Sequence, residues 1–353
     1  RWGGKVVSRL FRTRDDELFT ILFFGLALLF GGMSAVEIFQ DEGCGRSDEF
    51  VRLRRGVYVR AGEWGKASVD ERQRARIDAV AATWTAPFFL RESAAAVWGL
   101  PLVEPLAATV HVEGATDVGS RTRNGVAEHR SARLPSLALI DGLAVSDLAQ
   151  TVFDLARFSS FRRAVVAADH ALRLVDEDGS PLLRREELLC RHAELPPGSR
   201  GRTTSAAVIA FADPASETPL ESISRVAMHS GGLPAPVLQH PVHDDDGLAG
   251  RVDFFFEEAE VVGEADGDHK YSDPAFLRGR SPEYVLLAEK RREDRLRARG
   301  HRVVRWGWRE AYDSRPLLVR LARAGVRRIE GTTGRRGSPL SRAPSTARGS
   351  LAR

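Results

Sequence analysis

Cysteine is nearly absent from this chain. Two occur in 353 residues, Cys44 and Cys190, far apart in sequence. They make neither a disulfide framework nor a metal-binding pair, and that usage suits a reducing cytoplasm. A membrane-spanning run is missing too. The apolar stretch from Leu18 to Gly32 is 15 residues, short of the ~20 that a spanning helix needs. Arg9, Arg12 and Arg14 precede it, Asp15, Asp16 and Glu17 intervene, and no small-residue cleavage site follows. Arg1 is not a natural start and Met33 is. The expectation is therefore that residues 1–32 are a leader foreign to the native protein, with membrane anchoring as the lesser alternative. There is no P-loop, dinucleotide fingerprint, serine-triad motif or internal repeat, so no small-molecule cofactor is expected. The net charge of +4 and pI near 9.4 come largely from arginine. They permit a polyanionic partner without requiring one.

What is present concentrates between Arg251 and Trp308. Asp253 and Glu264 sit on two strand-like runs with ten residues between them, and Asp266 follows two positions later. Phe254, Phe255, Phe256, Val261 and Val262 favour strands, and Glu257 to Glu260 reads as a polar turn. Side chains alternate faces along a strand. A four-residue loop puts Asp253 directly opposite Glu264. A two-residue loop puts them one diagonal step apart on the same face, and a three-residue loop puts them on opposite faces. Asp266 shares the face of Glu264. Clustered carboxylates repel, and a hard divalent cation such as Mg²⁺ relieves that cost with oxygen ligands. The same pattern also fits solvated acids on a hairpin edge.

The Asp253 strand, the run Glu264-Ala265-Asp266-Gly267-Asp268-His269, and Arg292-Glu293-Asp294-Arg295-Leu296 on a helix that stops at Gly300 together resemble the PD-(D/E)xK, restriction-endonuclease-like superfamily. The similarity is to actinobacterial proteins related to very-short-patch repair endonucleases, and it covers about residues 216–312. It implies an αβββαβ core whose first helix bears an acid, here Glu221 in Thr218-Pro219-Leu220-Glu221-Ser222. It also implies a Mg²⁺ site held by Asp253 and Glu264 with help from Asp266. The superfamily's usual Lys two residues after the second acid is replaced by Asp266. Lys270 or Lys290 would have to supply the amine. Glu221 has a structural reading as well: Thr218 caps, Pro219 takes the first helical position, and Glu221 completes a capping box.

Val51 to Arg60, VRLRRGVYVR, alternates strictly. Val51, Leu53, Val57 and Val59 share one face, and Arg52, Arg54, Tyr58 and Arg60 the other. Such a strand or hairpin suits phosphate contact through Arg52, Arg54, Arg55 and Arg60, or a charged edge that resists aggregation. The run resembles the wing of the winged-helix domain in AbiEi-type antitoxins of type IV toxin–antitoxin systems. Glu92 to Pro101, ESAAAVWGLP, is similar to the middle region of the same proteins. Helices are expected over Val69–Trp84, Phe89–Trp98, Asp147–Arg157 and Phe161–Leu174, and no catalytic constellation is expected among them. His240, His243 and Asp244 to Asp246 read as a solvated acidic turn, with a metal clip as the weaker alternative.

The whole reads as a cytoplasmic, multi-domain α/β protein. A leader (1–32) and a partial winged-helix arm (33–63) precede an α+β middle module (64–175) and a connector (176–215). A restriction-endonuclease-like domain (216–330) and a disordered basic tail (331–353) follow. The expected function is DNA binding or processing in a defence setting, with a cognate toxin as a further partner and membrane association not expected. If the chain is an enzyme, it is a Mg²⁺-dependent phosphodiesterase, attenuated by Asp266. The alternatives are a non-enzymatic antitoxin and autorepressor, or a domain that only neutralises a toxin.

Overall fold

The computed structural model describes residues 36–40, 48–104, 107–114, 121–130, 136–245, 247–266 and 282–329, without the side chains of 282–289. The expectations for residues 1–32, for Lys270 and for the tail 331–353 lie outside the described residues. The protein is a mixed α/β chain that divides into two compact units. The first runs to Ser159 and resumes over Arg163–Pro214; the second takes Ser160–Arg162 and everything from Ala215. No described helix is long and apolar enough to cross a membrane.

In the first unit β1 (Ile38–Gln40), β2 (Phe50–Arg54) and β3 (Val57–Arg60) form an antiparallel sheet in the order β1-β3-β2. Arg55-Gly56 makes the hairpin turn, where Gly56 takes φ +76° without a side-chain penalty. The strand expectation holds, but Tyr58 is not on an exposed arginine face. It is 6% exposed, between fully buried Val57 and Val59, because β3 is the central strand. Helices α1 (Ala61–Lys66) and α2 (Val69–Ala81) follow the hairpin. Ser68 and Glu71 start α2 with a reciprocal capping box.

A second sheet holds β4 (Phe88–Phe89), β5 (Val110–Glu113), β6 (Arg121–Arg123), β7 (Val126–His129), β8 (Leu137–Ile140) and β9 (Leu143–Ser146), in the order β6-β7-β5-β4-β9-β8. The helix expected from Phe89 begins instead at Arg91, as α3 (Arg91–Val97). Phe89 pairs with Val112 on one side and Val145 on the other, and an aromatic side chain fits that buried sheet centre better than a helix end. Gly99, at φ +70°, ends α3, and Leu100 N donates to Ala95 O. Helices α4 (Leu148–Phe158) and α5 (Phe161–Ala171) come next, α4 being capped by Asp147. Residues 176–215, expected as a connector, carry α6 (Arg185–Ala193) and α7 (Arg202–Phe211), both packed on α4.

The second unit runs α8 (Pro219–Ser230), β10 (Val237–Asp244), β11 (Gly247–Phe256), β12 (Val261–Ala265), α9 (Pro282–Ala298), β13 (Arg302–Trp306), α10 (Trp308–Asp313) and α11 (Arg315–Arg323). Its sheet has the order β10-β11-β12-β13, antiparallel except for the parallel β12–β13 pair. Trp306 on one face of β13 donates its indole N–H to Ser224 of α8 at 2.7 Å. Val303, on the other face, packs with Val252, Val262 and Leu296 of α9. Gly263 lies where the Trp306 ring crosses β12, and a Cβ there would sit 2.6 Å from the ring. Gly263→Ala is therefore expected to destabilise the protein by about 1–3 kcal/mol through overpacking. Urea unfolding measures this, and an unchanged midpoint would show that the ring can shift freely.

Candidate functional site

The acids of the second unit gather at the centre of its sheet. The ladder Phe256↔Val261, Phe255↔Val262, Phe254↔Gly263 leaves Glu257 to Glu260 as the loop and carries Asp253 level with Glu264. A 3₁₀ turn over Glu257–Ala259, closed by Glu260 at φ +50°, makes this loop. Across β11 from Asp253 lies Gln239, which has φ +51°, a left-handed conformation uncommon for a side-chain-bearing residue. Val252 and Phe255 join the same core cluster although three residues apart, so regular alternation breaks at Asp253.

Each acid already has a protein donor. Asp253 Oδ2 accepts from Ala265 N at 2.8 Å. Glu264 is 5% exposed and accepts from Arg292 of α9. Burial, only partly offset by Arg292, and the nearby Asp253 charge push the Glu264 carboxyl up to about 7. Asp266 pairs with Arg305 of β13 at 3.1 Å, and the same guanidinium reaches Glu293 at 3.2 Å. Glu221 accepts from Glu217 N, Thr218 Oγ1 and Gln239 Nε2, each at 2.8 Å. Burial raises its pKa first, and Asp253 adds to the rise. Glu221 thus does more than cap α8: it ties the start of that helix to Gln239 at the break beside Asp253.

The oxygen donors of Asp253 and Glu264 are the type a hard cation takes. Arg292 holds the place of a counter-charge at Glu264, however, and Asp266 is turned to Arg305. Among the described residues no three His, Cys, Asp or Glu side chains are grouped as metal ligands. A cation at Glu264 would have to displace Arg292. Arg292 and Arg305 were not anticipated as the basic members of this site. Arg305 was findable, since the parallel register sets it level with Glu264. Arg292 reaches across from a helix and over Gly250, which strand spacing does not encode. Lys290 is exposed on α9. In the β10–β11 hairpin Asp244 accepts from Nε and Nη2 of Arg295, each at 2.6 Å, rather than being solvated, and His240 stacks on Phe255 with ring centroids 4.5 Å apart. An open groove lined in part by Ala227, Leu233, Leu318 and Val319 includes none of these acids.

Of the arginines in the first unit's hairpin, Arg52, Arg55 and Arg60 are exposed. Arg60 lies over Phe39 and Phe50, and half-buried Arg54 lies over Trp84 at 5.9 Å. The second sheet of this unit holds titratable groups that the strand and helix patterns did not reveal. His111 Nδ1 and His129 Nε2 are 2.7 Å apart, joined across the parallel β5–β7 pair. Glu92 Oε2 lies 3.7 Å from His111 Nε2, and Glu92 Oε1 accepts from Ser159 at 2.5 Å. Burial, then the charge of Arg91, pushes His129 down to about 4; burial also lowers His111. The unfolded chain takes up these protons near the ordinary value of 6.5, which the folded chain resists. Stability is thus expected to fall as pH drops from about 6.5 towards 4. Urea titrations of wild type and His129→Asn at pH 7 and pH 5 test this. Equal losses in both would remove the histidine pair as the cause.

No protein-family model matches the chain, and no solved structure matches it. Two curated proteins do. They are "Uncharacterized protein Rv2248" and "Uncharacterized protein MT2308", from two strains of Mycobacterium tuberculosis. Each is 30% identical over 153 residues, which is 43% of this chain and 54% of the relative. The chain thus spans about half the length of the curated relatives it matches, and their names assign no activity.

Proposed function

We propose that this chain binds nucleic acid, and that its second unit is a restriction-endonuclease-like domain that processes nucleic acid slowly or serves as a binding surface. The observation that carries the reading is the αβββαβ order with Asp253 level with Glu264 and Glu221 beside them. In this reading Asp253 and Glu264 take Mg²⁺ when Arg292 moves aside. The ion would supply charge neutralisation and water activation at a phosphodiester. Arg292 and Arg305 face the phosphate, and Arg52, Arg55 and Arg60 of the first unit add sequence-independent backbone contacts. Asp266 in place of a lysine removes a fixed positive donor whose loss can cost about 10²–10³-fold in rate.

The Arg292–Glu264 pair favours a second reading, a non-enzymatic DNA-binding protein such as an antitoxin and autorepressor. A guanidinium seated on the metal carboxylate keeps the site closed to cations. The test incubates plasmid and single-stranded DNA with the full chain and Mn²⁺, beside a Glu264→Ala control. Slow or absent cleavage is expected. Fast cleavage lost in the control would make the chain an unattenuated nuclease and overturn the binding-led part of this reading.

A further inference from the structure

The first unit holds a cluster of arginines that the reading above does not use. The side chains of Arg91, Arg157 and Arg200 gather around one ring, Phe158 at the end of α4. Their guanidinium carbons lie 4.2, 4.5 and 5.9 Å from its centroid. Like charges repel at this range, so such packing wants an anion. Arg157 spends its Nε and Nη2 on Arg200 O, at 3.2 and 3.0 Å. The side chains of Arg91 and Arg200 make no hydrogen bond or ion pair among the described residues. Arg91 is half-buried, and burial lowers its pKa. Asp154 and Glu92 offset that cost only through space, with no hydrogen bond to the guanidinium.

A second observation is independent of charge. Arg91 has φ +52° at the first position of α3, a left-handed conformation that arginine rarely takes. Backbone strain of this kind collects where a side chain must be aimed. The loop carrying Arg200 is fixed as well: a Cβ on Gly201 would lie 2.4 Å from Arg157 O, so only glycine allows this approach.

We infer that Arg91, Arg157 and Arg200 around Phe158 form a binding site for a phosphomonoester. The donor set selects this class. Asp154 and Glu92 both act on Arg91, so the three guanidiniums keep an excess of +1. A phosphomonoester offers three terminal oxygens to the unspent N–H groups of Arg91 and Arg200, where a carboxylate or phosphodiester offers two. Guanidinium forks suit its oxygens. The phosphate can belong to a small molecule or to the end of a nucleic-acid strand. The site lies in the other unit from the acidic cluster and does not depend on it.

The experiment measures binding of the full chain to a 5′-phosphorylated oligonucleotide, its 5′-hydroxyl counterpart, inorganic phosphate and a short acidic peptide. Wild type is compared with Arg91→Gln, Arg200→Gln and, as a control at an exposed arginine of the other unit, Arg323→Gln. The phosphorylated strand or inorganic phosphate should bind, and Arg91→Gln and Arg200→Gln should each weaken it roughly 10- to 100-fold. Arg323→Gln should leave the phosphate-dependent part unchanged. A gain for the phosphorylated strand over inorganic phosphate assigns the site to strand ends; equal binding assigns it to small phosphomonoesters. Arg200 is exposed, so its variant reports binding without loss of fold. Binding that ignores the 5′-phosphate and inorganic phosphate, equal binding of the acidic peptide, or affinity unmoved in both first-unit variants would overturn the assignment.

Discussion

Glu264→Gln is expected to stabilise the protein at pH 8 by about 3 kcal/mol and to leave it unchanged at pH 4. Burial holds the Glu264 carboxyl at about 7, against an ordinary 4.5. The folded state therefore binds this proton more tightly than the unfolded chain. The resulting stability is fully present below pH 4.5 and is lost as pH rises through 7. Above that, the folded protein carries a desolvated charge that Arg292 only partly offsets. The amide has no charge to bury. Arg292 loses its partner, but its side chain is 32% exposed and can turn to water at small cost. Urea unfolding of both proteins at pH 8 and pH 4 reads the difference directly. A variant less stable than wild type at pH 8 would show that the Arg292–Glu264 pair holds the fold together. In that case Glu264 would need no functional explanation. A carboxylate that costs stability where it sits is what a site for chemistry requires.

Much of this site was legible in the sequence because it is local. The spacing of Asp253 and Glu264 around a short polar turn left a four-residue loop as one option, and that loop is the one formed. Thr218-Pro219 marked the start of α8 for equally local reasons. The mixed α/β character of a chain with more than one unit could also be read. What could not be read depends on contacts distant in sequence. Arg292 meets Glu264 across 28 residues and Gln239 meets Glu221 across 18. His111 and His129 come together only because β5 and β7 pair in parallel, with β6 placed at the sheet edge beyond β7. Tyr58 misled for a similar reason: alternation names a face but not whether a neighbouring strand or helix covers it. Phe89 falls in the expected helix Phe89–Trp98 because a two-residue strand carries too little periodicity to be marked at a sheet centre.

The central claim is that Asp253 and Glu264 serve nucleic-acid binding through a shared divalent cation. Without a cation the acids repel phosphates, and Glu264 keeps Arg292 occupied. With one, the carboxylates would be neutralised and Arg292 would be free to turn outward. Fluorescence anisotropy of a short DNA duplex at fixed ionic strength, with and without Mg²⁺, tests this most directly on wild type, Asp253→Asn and Glu264→Gln. The expected result is affinity raised roughly tenfold by Mg²⁺ in wild type, about 1.4 kcal/mol, and no such gain in either variant. Affinity indifferent to Mg²⁺ in wild type, or raised equally in all three proteins, would contradict it.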